Sequence, residues 1–213
     1  TTGPTREYID PVRYISNESS GKQGYEIALE LSRLGVKTTL ISGPTNINYS
    51  NEIKVKKIIS GKQMFNEIKK TLPTDIAVCT AAVSDFKPVM RNKQKLKKKI
   101  NLDKIQLEQN PDILEFLGKN NRHKPKLLVG FSAETENIIK NSIEKMHEKH
   151  CDIIVANDVS NKETGFNVDF NEVTIIENNG EIQKIKKSSK KFIASIIAKK
   201  IINSFLDIKK RLN

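Results

Sequence analysis

Apolar residues along this chain recur with two alternating periods. From about Lys22 to Leu34, Ile27, Leu31 and Leu34 fall at i, i+4 and i+7, one face of a helix, and Gly35 follows as its C-cap. "VKTTLISGP" (Val36–Pro44) then reads as a strand stopped by Gly-Pro, and "IKVKKII" (Ile53–Ile59) as a second, alternating strand. Gly61 to Leu72 is helical. "DIAVCTAAV" (Asp75–Val83) is a near-continuous apolar run, as expected of a strand inside a parallel sheet.

The alternation continues to the end. "INLDKIQLEQ" (Ile100–Gln109) has period two and reads as a more exposed strand. "NPDILEFLGK" opens a helix with Asn110 as N-cap and Pro111 in the first turn. "KLLVGFSAET" (Lys126–Thr135) is a buried strand leading into a helix that lasts to about His150, and "CDIIVANDV" (Cys151–Val159) is another buried strand. "EVTIIENNGEIQKIKK" is a hairpin turning at Asn178-Asn179-Gly180. The last helix stacks Ile193, Ile197, Ile201 and Phe205 on one side. Strands alternating with helices predict an α/β, Rossmann-like three-layer fold: a mostly parallel sheet, helices on both faces, and a C-terminal hairpin. Residues 1–213 show no repeat and no linker, so one domain is expected. "TTGPT" reads as the end of a strand whose apolar part lies upstream, which predicts a piece of a longer protein.

Composition narrows this picture only slightly. A chain of 213 residues suffices for one α/β domain with a substantial core, and no apolar run reaches membrane-spanning length. No secretory signal is visible, and Cys79 and Cys151 lie in apolar stretches, so reduced thiols in a cytoplasmic protein are expected. The net charge of +12 raises nucleic-acid binding as a question. The excess is lysine spread over the chain, and the aromatics, at 6%, are not interleaved with the basic runs as a stacking platform needs. A solvated lysine surface accounts for most of it.

Ligands of such sheets bind beyond the carboxyl ends of the strands. Four strand ends here carry unusual residues: "TTGPT", "AAVSDF", "VGFSAET" and "VANDV". Each alone is a turn or a cap; together they mark a site edge. "SNESSGKQG" presents backbone N–H groups at a helix N-terminus, suited to an anion. It is not a P-loop, because Ser16 and Gln23 stand where that motif needs Gly and Ser or Thr. The Gly-x-Gly-x-x-Gly dinucleotide fingerprint is also absent after the first strand. "VMRNKQKLKKKI" (Val89–Ile100) follows directly on "AAVSDF" and could serve as a cationic lid over a polyphosphate, the plain alternative being a solvated loop. His123, His147 and His150 fall at helix ends or turns and receive no role.

"GPTREYIDPVRYISNESSGKQG", "AAVSDF", "KLKKK", "NPDIL", "VGFSAET" and "VANDV…GF" occur in an order that resembles bacterial phosphopantothenoylcysteine synthetase, the phosphopantothenate–cysteine ligase of coenzyme A biosynthesis. The resemblance covers essentially the whole chain. It implies a homodimer that uses CTP and Mg²⁺ (or Mn²⁺) to join 4′-phosphopantothenate to L-cysteine through an acyl-cytidylate. It also implies a phosphopantothenoylcysteine decarboxylase, fused or associated, and no membrane or nucleic-acid partner.

The same resemblance assigns roles residue by residue. Asn17 matches the asparagine that turns the acyl-cytidylate into product, and Lys95 the essential lysine at the triphosphate. Ser19, Gly21 and Gly24 match phosphate-contacting positions, and Gly3, Phe131 and Asn157 nucleotide-pocket positions. Lys145 and Lys149 match nucleotide-contacting lysines; Pro111, Asp112, Ile113 and Leu114 match the segment framing the base. Ala81, Ala82 and Asp85 lie where CTP and phosphopantothenate meet, and Arg13 matches an arginine reaching substrate across the dimer interface. No metal ligands are assigned. Ser84 and Ser132 depart from the usual alanine, and Lys99 is one lysine more than usual. Three other readings stay open on the residues: the same ligase using ATP, a nucleotide-dependent oxidoreductase, and an RNA-binding module.

Overall fold

The computed structural model describes residues 1–97, 104–159 and 168–212. The central sheet runs in the order β11-β10-β9-β8-β5, built from β5 (Ile76–Cys79), β8 (Leu127–Glu134), β9 (Ile153–Asp158), β10 (Phe170–Glu177) and β11 (Ile182–Ser189). β5, β8 and β9 are parallel, whereas β10 and β11 form the antiparallel C-terminal hairpin. On the other side, β3 (Thr39–Ser42) pairs in parallel with β4 (Lys54–Lys57). Residues Thr1–Thr5 join the two halves. The Thr2 N–H donates to Ile41 at 3.0 Å, and the Ala82 N–H donates to Gly3 at 3.0 Å. Below Thr1 the gap between β3 and β5 is an apolar groove of about 270 Å³ lined by Leu31, Ile41 and Val78, among others, and β5 is correspondingly only half-buried.

Helices cover both faces. α1 (Lys22–Arg33) and α5 (Lys190–Leu212) bury Ile27, Leu31, Ile193, Ile197 and Ile201 against Val129, Val155 and Val173. α2 (Gly61–Thr71), α3 (Ile113–Gly118) and α4 (Ile138–Glu148) pack Met64, Leu117 and Met146 against Leu128 and Ile154. Each such fully buried aliphatic side chain contributes about 1.5–3 kcal/mol. The predicted three-layer architecture is therefore the observed one. Cys79 and Cys151 are free thiols. Burial pushes Cys151 up to about 12, so it stays protonated at neutral pH.

Local departures have local causes. α1 stops at Arg33 because Gly35 takes φ 85 and the Val36 and Gly35 N–H groups turn back to Leu31 and Ser32, which leaves Leu34 exposed and off the predicted apolar face. α3 is capped by Asp112, whose Oδ1 accepts the Glu115 N–H at 2.8 Å. Asn110 is not the cap, because its amide is spent on the Ser84 carbonyl at 2.8 Å. Two hairpin-like pairs were not expected: β1 (Arg6–Tyr8) with β2 (Tyr14–Ser16), and β6 (Phe86–Pro88) with β7 (Leu107–Gln109). Of the strand expected over Ile100–Gln109, the described part is a strand, β7, at its last three residues and not at 104–106; Ile100–Asp103, like Lys99 and the Gly165-Phe166 pair, lies outside the described residues.

Candidate active site

Two glycines set the shape of the loop before α1. Gly21 sits in the left-handed region (φ 74) as the helix N-cap, and the buried Thr2 hydroxyl donates to its carbonyl at 2.7 Å. A Cβ at Gly24 would lie 2.0 Å from Thr80 Oγ1 and 2.5 Å from Thr2 Oγ1, so only glycine lets the first turn of α1 sit this close to the strand ends. The N-cap Gly21 has no side chain to offer, the Lys22 N–H makes only a long 3.5 Å contact to Ser20 Oγ, and no acidic residue occupies the first turn of α1. Its N-terminal N–H groups therefore keep their partial positive charge for another partner.

This loop is one wall of a cavity of about 870 Å³ that straddles the carboxyl ends of β5, β8 and β9. Every candidate named from the sequence lines it except Gly3, Arg13 and Lys95. Asn17, Ser19, Gly21 and Gly24 supply the loop wall, and Ala81, Ala82 and Asp85 the wall after β5. Pro111, Asp112, Ile113 and Leu114 form a third side with Lys145 and Lys149. Phe131 and Asn157 rise from β8 and β9. The volume falls in the range of cofactor-sized sites.

The polar groups of the cavity are held by specific partners. Asn17 Nδ2 donates to the Ala82 carbonyl at 3.1 Å, which fixes the amide against the β5 edge and leaves its second N–H uncommitted among the described residues. Lys149 bridges Asp112 at 3.0 Å and Glu115 at 3.2 Å, while Glu115 also pairs with Lys119. Partial burial alone would lower the Lys149 ammonium; the two carboxylates outweigh it and hold its pKa above the usual lysine value. Lys149 thereby pins the start of α3, the segment expected to frame a base. Ser132 Oγ meets Ser142 Oγ at 2.6 Å, a buried pair that gives this serine a structural partner on α4.

The three candidates outside the cavity wall have other positions. Gly3 (φ 76) backs the loop: a Cβ on Gly21 would stand 3.1 Å from its Cα. Lys95 is exposed in the lysine-rich segment. Arg13 lies beside that segment, its guanidinium donating to Asp10 at 2.8 Å and to the Leu96 carbonyl at 3.4 Å. Asp10 itself, absent from the candidates, is fully buried and also accepts the N–H groups of Val12, Arg13 and Leu96. Desolvation would raise its carboxyl; those donors and the Arg13 charge prevail and hold it below the ordinary aspartate range. Lys22 pairs with Asp169 at 2.6 Å, so the lysine between the two glycines is committed to a salt bridge at the cavity rim.

Sequence reasoning also missed a polar corner of this cavity, made by Gln23, Asn171 and Lys190. Lys190 is 6% exposed and Asn171 2% exposed. The available signal was the break in apolar pattern at Asn171, two residues before Val173, and at Lys190, three residues ahead of Ile193. Among the described residues no group of three or more His, Cys, Asp or Glu side chains could hold a metal ion, and no helix is long and apolar enough to cross a membrane.

Comparison with known proteins identifies the family of this fold. The chain matches the DNA/pantothenate metabolism flavoprotein C-terminal domain over residues 1–205. It is 38% identical over 206 residues to the coenzyme A biosynthesis bifunctional protein CoaBC of Haemophilus influenzae, covering 96% of this chain and 51% of that protein. With the Bacillus subtilis protein of the same name it shares 38% identity over 192 residues, 89% of this chain and 47% of that one. The chain thus spans about half the length of the curated relatives it matches. The crystal structure of the C-terminal domain of a CoaBC protein superposes with a TM-score of 0.80 at 36% identity, covering 97% of this chain and 93% of that one. The chain belongs to the DNA/pantothenate metabolism flavoprotein C-terminal domain family.

Proposed function

We propose that this chain is a phosphopantothenate–cysteine ligase acting in coenzyme A biosynthesis, with CTP as the activating nucleotide. The observation that carries the reading is the cavity itself. A glycine-shaped helix start and the Pro111–Leu114 segment line one cavity at the strand ends, and Asn17 is held in its wall on the Ala82 carbonyl. The relatives at 38% identity, named for coenzyme A biosynthesis, support it.

In this reading the phosphopantothenate carboxylate attacks the α-phosphorus of CTP, and pyrophosphate leaves with the bonding pair. The amine of cysteine then forms the C–N bond as the acyl C–O bond breaks. CMP leaves with that pair, and the nitrogen, arriving as an ammonium, gives up two protons overall to water. The N–H groups at the start of α1 neutralise phosphate charge, and Lys95 adds a cation from the lysine-rich segment when it closes on the triphosphate. Asn17 donates its uncommitted N–H to the acyl oxygen as charge develops there. Asp85 and Glu18 are the cavity carboxylates not tied to Lys149. That donor set suits a Mg²⁺ held mainly by phosphate oxygens and water rather than a protein cage. When bound, the ion would supply charge neutralisation at the triphosphate.

A homodimer belongs to the same proposal. Val12, Tyr14, Val89, Met90 and Leu107 are exposed on the two small hairpins, and Arg13 lies among them. Exposed apolar side chains on paired hairpins of this kind suit a subunit contact. The deciding experiment measures pyrophosphate release with each of the four nucleoside triphosphates, with and without phosphopantothenate and cysteine. CTP with phosphopantothenate is expected to support release. No release with any nucleotide refutes the ligase, and release with ATP alone corrects the base.

A further inference from the structure

We propose that Thr45, oriented by Tyr49, is a positioning residue of the phosphate-binding loop, a prop outside the cavity that keeps Gly21 in the conformation from which α1 starts. This deepens the ligase reading and rests on its assignment of that loop to the nucleotide phosphates.

The connection from β3 to β4 passes behind the loop, and none of its residues lines the cavity. A Cβ built on Gly3 or on Gly21 would in either case lie 2.8 Å from Thr45 Cγ2. One methyl group therefore packs against two glycines that both have positive φ, 76 and 74. The Gly21 carbonyl is held by the Thr2 hydroxyl at 2.7 Å and the Tyr25 N–H at 3.1 Å. Its Cα has no side chain to anchor it, so packing from behind must limit the freedom of this residue. Thr45 supplies that packing together with Gly3.

Thr45 itself is locked by a directed chain of hydroxyl groups. Ser42, fully buried at the end of β3, donates its hydroxyl to the Gly43 carbonyl at 2.9 Å. A hydroxyl has one proton, so Ser42 Oγ receives the Tyr49 hydroxyl across 2.6 Å. The Tyr49 oxygen in turn receives the Thr45 hydroxyl, also at 2.6 Å. With Oγ1 held, Thr45 keeps one χ1 rotamer and its methyl stays aimed at the two glycines. The Tyr49 ring meets Tyr25 edge-on at 5.5 Å between centroids, and the Tyr25 hydroxyl accepts the Ser50 N–H at 3.0 Å. Tyr25 stands in the first turn of α1. The connection thus grips the helix start twice, at Gly21 and at Tyr25. Donors aimed in advance at a phosphate bind it better than donors that must be ordered on binding, and this grip does the aiming.

The test separates a prop for the phosphate loop from general packing. Thr45→Ser keeps the hydroxyl chain and removes the methyl, Tyr49→Phe keeps the ring and removes the hydroxyl, and Thr45→Val keeps the branched shape without the hydroxyl. Each is assayed for the KM of CTP, the KM of cysteine and the Ki of pyrophosphate, a probe with phosphates and no base. Thr45→Ser and Tyr49→Phe are expected to raise the CTP KM and the pyrophosphate Ki together by about threefold to tenfold, with the cysteine KM within about twofold of the parent. Thr45→Val is expected to lie closer to the parent than Thr45→Ser, because a methyl still backs the glycines. Parent values of CTP KM and pyrophosphate Ki in both Thr45→Ser and Tyr49→Phe overturn the proposal. So does a CTP KM that rises without the pyrophosphate Ki, or a parallel rise of all three constants, which marks general loosening. Thr45→Ser, the mildest change, carries the test alone if Tyr49→Phe does not fold. A parent protein that neither uses CTP nor is inhibited by pyrophosphate refutes the phosphate-loop reading itself, an outcome distinct from these.

Discussion

The Leu96 N–H donates to Asp10 Oδ2 at 3.2 Å, which ties the lysine-rich segment to the first hairpin. The same carboxylate holds the Arg13 guanidinium, and Arg13 reaches on to the Leu96 carbonyl. Lys95 adjoins this clamp, so the reach of its ammonium is set by a buried aspartate far away in sequence.

Replacing Asp10 with Asn keeps the shape but brings N–H against the backbone N–H groups it must receive. Asp10→Asn is expected to slow the pyrophosphate burst on the order of tenfold or more, since displacement of a positioned group costs that much. A burst at the parent rate shows that Lys95 does not depend on this clamp. The pH behaviour has a definite sign. The folded carboxyl lies below its unfolded value near 3.8, so its contribution to stability is complete above that value and disappears as pH falls through the lower folded one. The parent is therefore expected to lose this increment only in strong acid, and Asp10→Asn to lack it at all pH values, as followed by urea midpoints.

Gly24→Ala tests the close approach of α1 to the strand ends. Its Cβ would meet Thr80 Oγ1 at 2.0 Å, so helix or strand must shift. Overpacking of this kind costs about 1–3 kcal/mol, and nucleotide affinity is expected to fall with it because the loop moves as well. Gly35→Ala is the control. Its Cβ meets nothing within 4 Å, and only the left-handed φ of 85 is strained, a cost of about 1–2 kcal/mol with CTP affinity retained. Denaturant melts and calorimetric titration with CTP separate the two; equal CTP affinity in both variants rejects the assignment of Gly24 to the phosphate loop.

These contrasts also indicate what the sequence could disclose. Periodicity located the layers, because Ile193, Ile197 and Ile201 must share a face whatever they pack on. Local chemistry marked the Gly21 loop, whereas the segment from Pro111 to Leu114 was marked as part of a site only by the family resemblance. Asp10, Gln23, Asn171 and Lys190 stayed hidden, since each looks like an ordinary surface residue until distant elements bury it. The N-cap moved from Asn110 to Asp112 for a related reason: the Asn110 amide was claimed by Ser84, a contact between segments that no local pattern encodes.

Asn17 and Lys95 are expected to fail at different steps. Asn17→Ala keeps the backbone of the loop, so pyrophosphate is still released while the acyl-cytidylate accumulates, visible by rapid quench and chromatography. Lys95→Gln is expected to lose the burst by about a hundredfold or more, as removal of a charge-stabilising group does. If Asn17→Ala abolishes the burst, Asn17 acts in activation and not in amide formation.

Lys190 gives the last prediction a sign that ordinary lysines lack. Its ammonium loses its proton near pH 8 in the folded chain, against 10.5 for an unperturbed lysine. Between those values the unfolded chain binds more protons than the folded one, so stability rises with pH across that window. Below pH 8 the folded protein carries a desolvated charge next to Lys22, with Asp169 as partial compensation. Lys190→Met removes that cost while filling the same space. The variant is therefore expected to be more stable than the parent at pH 7, by on the order of 1–3 kcal/mol, and the difference to shrink towards zero by about pH 10. Urea midpoints at the two pH values measure it. A variant less stable than the parent at pH 7 shows that ion pairing of Lys190 outweighs its burial, and reverses the electrostatic reading of this corner.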